Sequence, residues 1–285
     1  MNMFSNPNWL KHHDYPYQRL DDVPQAVFDT INARLAARYT SQPVVSVVVS
    51  AYNEEANLIR CVSTLSAFET KIPYEIIVVN NNSDDQTQTT IDRLQIRTTF
   101  QPIQGWGPAR QMGQEAALGE YILLADADCF YPVNWLDSMM NKLRQPGAIC
   151  VYGRYSFIST SDIPRWQLTI HETLRDIIAE IRHIKRPYLN AYGISMGYVK
   201  AAGLRAGFIM DKTRGDEGRL CFDLMQHGRV IAMRNNSARV WTGPRTLLRD
   251  GNLGQALWLR ISRELRGLGQ YLTSHPPHDT KTSKN

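Results

Sequence analysis

Residues 121–128 read YILLADAD: a short uncharged run, Tyr121–Ala125, followed at once by carboxylates at Asp126 and Asp128. A run of this length bounded by polar residues predicts a strand buried on both faces. The same pattern recurs upstream. Val44–Ser50 is a charge-free β-branched run, Tyr74–Val79 (YEIIVV) is a second, and residues 96–101 give a third strand. Helical patterns lie between them at Glu54–Phe68, at Ser83–Leu94 behind a Ser-Asp-Asp cap, and at Pro108–Leu118 before Gly119. Strands alternating with helices predict an α/β fold, a Rossmann-like and mostly parallel open sheet covered by helices.

Downstream of Asp128 the alternation loosens. Helices are predicted over Asn134–Leu143, Trp166–Ile184 and Glu217–Gln226, and strands over Ala148–Ser156, Val230–Met233 and Ala238–Trp241. The long helix carries Ile170, Leu174, Ile177, Ile178 and Ile181 at helical spacing, a stripe expected to face the core. Upstream, residues 1–43 form an extension with one helix after Pro24. The expected division is 1–43, an extension; 44–146, the regular β/α alternation; 147–245, the looser second half; and 246–285, an amphipathic helix and tail. Within that tail, Gln255–Leu272 sets Leu257, Ile261, Leu265 and Leu268 beside Arg260, Arg263 and Arg266. This segment is expected to dock on the protein itself, against the 44–146 half; contact with an anionic membrane face is the alternative.

Composition removes whole classes of function. At 285 residues, 43% hydrophobic and 21% charged, the chain is globular in balance. No apolar run approaches the roughly 20 residues of a membrane span, and Met1–Lys11 lacks the apolar core of a secretory signal, so a cytoplasmic setting is expected. The net charge of +5 is concentrated in residues 229–266, where eight arginines face two acids. That excess suits an anionic ligand such as phosphate; no nucleic-acid-binding module accompanies it. Cys61, Cys129, Cys150 and Cys221 show neither zinc nor disulfide spacing and are expected to be buried packing residues.

In an open α/β sheet, ligands bind beyond the carboxyl ends of the strands. Here those ends read Ser50-Ala51-Tyr52-Asn53-Glu54-Glu55, Asn80-Asn81-Asn82-Ser83-Asp84-Asp85 and Asp126-Ala127-Asp128. None holds a glycine-rich phosphate loop, which argues against a dinucleotide site and against a nucleotidyltransferase. Carboxylates two residues apart after a buried strand repel unless a cation lies between them, and Mg²⁺ or Mn²⁺ bridging phosphate oxygens would be that cation.

Five ordered segments, VSVVVSAYNEEANL, YEIIVVNNNSDDQT, GWGPARQMGQEAALGEYILLADADC, NAYGISMGYVKAAGLRAGF and DEGRLCFDLMQHGRV, make residues 44–228 resemble a family 2 glycosyltransferase of the GT-A fold. The resemblance implies an inverting transferase, dependent on Mn²⁺ or Mg²⁺, that moves a sugar from a nucleotide diphosphate sugar to an unidentified acceptor. A glycan, a lipid-linked sugar or a small molecule would each serve. It places Ala51, Tyr52, Glu54 and Asn81 at the base and ribose. Arg110, Asp126 and Arg245 fall at the diphosphate, with Arg239 and Arg249 as alternatives to the last. The metal falls to Asp128 and Asp126. Asn80 and Asn81 replace the aspartates more usual there, which leaves the nucleobase open. The catalytic acids match as Asp216-Glu217, in reversed order, with Glu217 the expected base and Asp216 the reserve. That reversal also raises a rival reading, a degenerate relative that binds donor without turnover.

Overall fold

The computed structural model describes residues 4–211 and 215–244. The expected alternation is present: α1 (Gln25–Ala37), β1 (Val45–Ala51), α2 (Asn57–Leu65), β2 (Tyr74–Asn80), α3 (Thr87–Asp92), β3 (Arg97–Phe100), α4 (Trp106–Ala116) and β4 (Tyr121–Asp126). There follow β5 (Cys129–Phe130), α5 (Trp135–Leu143), β6 (Ala148–Tyr152), β7 (Tyr155–Phe157) and α6 (Arg165–Lys185). The remaining elements are β8 (Met196–Val199), α7 (Lys200–Ala206), α8 (Asp216–Leu224), β9 (Arg229–Ala232) and β10 (Val240–Thr242).

The main sheet runs β3-β2-β1-β4-β8-β6-β9. Its first four strands are parallel, β8 is antiparallel to both neighbours, and β9 is parallel to β6. Strands from residues 45–126 and from residues 148–232 therefore share one continuous sheet. Side-chain alternation explains its two-sided cover. Val45, Val47 and Val49 of β1 join the core under α2 and α5, and Val48 points into the core beneath α4, α7 and α8. A smaller sheet, β5-β10-β7, closes the end of the main sheet beyond Asp126.

Register decides where the site forms. Ser50 lies opposite Asp126, Ala51 opposite Asn80, and Asn80 opposite Phe100, so the carboxyl ends of the parallel strands finish level. The strand order reverses between β1 and β4, the crevice that such sheets offer to ligands.

Three sequence expectations need correction. Ala148–Ser156 is two strands in two sheets, β6 and β7, because the chain turns at Gly153-Arg154. The helix expected at Ser83–Leu94 is only Thr87–Asp92; Gln86 precedes it, and Asp85 Oδ1 accepts the Thr87 N–H at 2.8 Å. The apolar stripe of α6 does not face the core. Ile178 is buried, but Ile170, Leu174 and Ile177 are exposed, while Arg165, Thr169, His171 and Glu172 turn inward. The reason is a polar network. Arg165 and Glu172 form a fully buried ion pair at 2.5 Å, and Glu172 also accepts from Ser156 Oγ and the Phe157 N–H, both at 2.8 Å. Those bonds fix which face of the helix meets β7.

The N-terminal extension is more than one helix. Two 3-10 turns, Asn8–His12 and Leu20–Asp22, precede α1. Arg60 of α2 is held by the carbonyls of Tyr15 and Tyr17, and Asn6 bonds Ser159 across the molecule. All four cysteines are buried and unbridged, as their spacing implied.

Candidate active site

A cavity of about 570 Å³ opens beyond the end of β4. Asp126, Asp128, Arg110 and Glu217 line it together with Trp106, Gly193 and the aromatic side chains Tyr155, Phe157, Tyr188 and Tyr192. Residues distant in sequence reach it for separate local reasons. Asp126 ends β4, and its backbone N–H donates to Tyr131 Oη at 2.9 Å. Arg110 projects from the buried side of α4. Glu217 sits in the first turn of α8, where a carboxylate favours the helix dipole.

Arg110 ties the acids together. Its Nη1 lies 2.7 Å from Glu217 Oε1, and its Nη2 lies 3.4 Å from Asp126 Oδ1. Burial opposes the charge of this guanidinium, but Glu217, Asp126 and Asp216 outweigh that cost and raise its pKa. Gly193 makes the arrangement possible: a Cβ there would stand 2.0 Å from Arg110 Nη2. The Gly193 N–H donates to Glu217 Oε1 at 3.2 Å. Both contacts fall on one carboxylate oxygen of Glu217, Oε1.

Burial pushes the Asp126 carboxyl up to about 6, Arg110 opposes the shift, and Asp128 and Glu217 reinforce it. The Asp126 side chain is partly exposed at the strand end and shares the cavity with Asp128, where a further cation could reach both carboxylates. The donor set agrees: hard carboxylate oxygens suit Mg²⁺ or Mn²⁺. Among the described residues no group of three His, Cys, Asp or Glu could cage an ion. Cys129 borders the cavity, but burial, with Asp128 and Asp126 behind it, raises its thiol pKa well above the usual value and leaves it a poor nucleophile.

Asp216, the reserve base, does not line the cavity. It is buried, accepts the Ile209 N–H at 3.0 Å and contacts Arg219 at 3.4 Å. It packs against Gly107, where a Cβ would lie 1.9 Å from the Ile209 carbonyl oxygen, so the glycine permits close packing.

Ala51, Tyr52, Glu54 and Asn81 cluster beside the cavity without lining it. Ala51 is buried and its carbonyl accepts the Asn81 N–H at 2.8 Å; Tyr52 is exposed. Glu54 Oε2 accepts from Asn57 Nδ2 at 2.6 Å. Asn53, at a positive φ of 54°, bonds Asp84 through both side-chain atoms, which laces the first loop to the second. Asn81 Oδ1 accepts the Gly105 N–H at 3.0 Å and so anchors the start of α4. Arg239 is spent elsewhere, buried in an ion pair with Asp176. Arg245, Arg249 and the expected helix at Gln255–Leu272 lie outside the described residues.

Sequence reasoning missed the aromatic wall and Gly193. Tyr192-Gly193 falls inside the quoted segment NAYGISMGYVKAAGLRAGF, so a signal existed there. Tyr155, Phe157 and Tyr188 carried none, because only the second sheet and the turn at Pro187–Asn190 bring them to the cavity.

The sequence profile of glycosyl transferase family 2 matches residues 46–210. The chain belongs to this family. Among curated relatives, it is 32% identical over 123 residues to glycosyltransferase AglE of Haloferax volcanii, covering 40% of each protein. It is 30% identical over 125 residues to glycosyltransferase GlyG of Streptococcus pneumoniae serotype 4, covering 42% of this chain and 41% of that one. The family 2 chain thus spans less than half the length of these relatives. Solved structures share its fold. The mannosyltransferase PcManGT from Pyrobaculum calidifontis, in complex with GDP-Man and Mn²⁺, superposes with a TM-score of 0.56 at 16% identity, over 87% of this chain and 85% of that one. S. aureus TarS 1–349 with UDP-GlcNAc gives 0.53 at 17%, over 80% and 70%. The GT-A architecture expected of a family 2 member is the architecture observed.

Proposed function

We propose that this family 2 chain is a glycosyltransferase that moves a sugar, with inversion, from a nucleotide diphosphate sugar to an acceptor hydroxyl. The observation that carries the reading is the placement of Glu217 and Asp126 in one cavity, both ion-paired to the same buried arginine. The names of similar proteins support it: one is a complex with GDP-Man and Mn²⁺, another with UDP-GlcNAc.

Each residue has a task. The loops at Ala51–Glu54 and Asn80–Asn81 frame the nucleoside. Asp126 and Asp128 would hold Mn²⁺ or Mg²⁺, which would supply positive charge to the leaving diphosphate. Glu217 Oε2 takes the proton of the acceptor hydroxyl as its oxygen bonds to the anomeric carbon and the bond from that carbon to the diphosphate oxygen breaks. Arg110 and the Gly193 N–H hold Oε1 so that Oε2 stays aimed. The wall of Tyr155, Tyr188 and Tyr192 gives an acceptor sugar apolar faces to lie on. Arg245, in the stretch Trp241–Arg245, is assigned to the diphosphate on the resemblance alone.

The test is release of nucleoside diphosphate from a panel of nucleotide sugars by the intact chain, with Mn²⁺ and with a chelator. Release from one donor with Mn²⁺, abolished by chelation, is expected. Donor binding without turnover across the panel, with acceptors added, would instead favour the degenerate reading.

A further inference from the structure

Beside the aromatic wall the protein gathers more positive charge than it neutralises. Arg154, in the turn between β6 and β7, and Arg175 of α6 converge with Arg234 and Arg239 on two carboxylates of α6, Asp176 and Glu180. Asp176 meets Arg154, Arg175 and Arg239. Glu180 meets Arg154 and Arg234. The neighbouring Glu172 is already matched by Arg165. Four guanidiniums thus share two carboxylates, and an excess of charge that is partly buried is costly unless an anion completes it. Two atoms show the deficit: among the described residues, Arg175 Nη1 and Arg239 Nε are buried with no hydrogen-bond partner. Burial lowers the pKa of Arg239, and Arg175 adds to that shift against the pull of Asp176. Burial and Arg234 likewise lower the pKa of His183.

Arg154, Arg175, Asp176 and Glu180 line a cleft of about 30 Å³. At about 10–15 Å³ for each water, that is room for one small polar group and not for a whole ligand. The body of a molecule whose group enters the cleft must lie outside it. Tyr155 and Tyr192, whose rings meet edge to face at 6.0 Å, line both the cleft and the 570 Å³ cavity. The Arg175 guanidinium lies 3.9 Å from the centroid of the Tyr155 ring. We propose that this cleft receives an oxyanion group, a carboxylate or a phosphate, carried by an acceptor whose body lies against Tyr155 and Tyr192. The inference rests on the glycosyltransferase reading and names the acceptor's class, a negatively charged sugar or sugar derivative. The donor's diphosphate is not the occupant, because it is assigned to Asp126 and Asp128, which do not line the cleft. Arg154 and Arg175 are partly exposed there, and a guanidinium fork suits two oxygens of one anionic group. An anion held in the cleft would fix which end of the acceptor turns toward Glu217.

Calorimetric titration of the intact chain tests this with one ring in three forms: glucose, glucuronic acid and glucose 6-phosphate. The charged sugars are expected to bind about tenfold or more tightly than glucose, and the tighter of the two tells carboxylate from phosphate. Arg154→Gln and Arg175→Gln should each lower that affinity about tenfold, while Arg154→Lys, which keeps the charge, keeps most of it. Circular dichroism checks that each variant is folded. Equal affinity for the neutral and charged sugars overturns the proposal. So does the absence of charged-sugar binding at millimolar concentration, or charged-sugar affinity that survives in both Gln variants. Mn²⁺-dependent binding of a nucleoside diphosphate, read on the same preparations, separates this inference from the reading beneath it. A chain that binds the nucleoside diphosphate but ignores the charge of the sugar loses the anionic acceptor alone.

Discussion

At the scale of the residue, the site depends on how little room surrounds Arg110. The guanidinium reaches Glu217 and Asp126 only because position 193 has no side chain. Gly193→Ala should displace it and lower turnover by about tenfold or more while the fold survives, since overpacking of this kind typically costs 1–3 kcal/mol. Donor turnover with circular dichroism as the folding control checks this; unchanged turnover would mean that Arg110 does not position the acids. Asp128→Ala belongs to the same scale. Calorimetry with a nucleoside diphosphate should show Mn²⁺-dependent affinity in the parent and its loss in the variant. Retained metal-dependent affinity would take Asp128 out of the metal site.

At the scale of the element, α6 shows what packing demands. Its buried Glu172 satisfies Arg165, Ser156 and Phe157 at once. Glu172→Ala leaves an uncompensated buried arginine and should cost about 3–5 kcal/mol, read from urea unfolding. A loss below 1 kcal/mol would contradict the role given to this pair. The same helix marks where the sequence was legible and where it was not. β1, β2 and β4 were readable because charge-free runs have one use in such a fold, burial on both faces. Asp126 and Asp128 followed from them as strand-end residues, and Glu217 followed from a motif in order. The facing of α6 was not readable. Apolar periodicity says that a stripe exists, and long-range hydrogen bonds from β7 decide which way it turns. For the same reason the aromatic wall was hidden: Tyr155 and Phe157 belong to a strand placed by pairing with β10, about 85 residues away in sequence.

At the scale of the whole molecule, the N-terminal extension braces α2. His13 is buried against Ser63 of α2, with its Nδ1 2.8 Å from Ser63 Oγ, and burial lowers its pKa to about 4. The unfolded chain therefore binds a proton here that the folded chain refuses. Stability from this group is complete above about pH 6.5 and falls as the pH drops from there toward 4. Thermal unfolding across that window should show a smaller loss of Tm in His13→Gln than in the parent; parallel curves would contradict the assignment. The central claim, that one cavity binds a nucleotide diphosphate sugar and that Glu217 removes the acceptor proton, is tested most directly with Glu217→Gln. Transfer to acceptor and donor affinity would be measured on the same preparation with Mn²⁺ present. The account predicts transfer reduced by about 10² or more with donor affinity nearly unchanged. Full transfer by Glu217→Gln, with the loss appearing in Asp216→Asn instead, would contradict it.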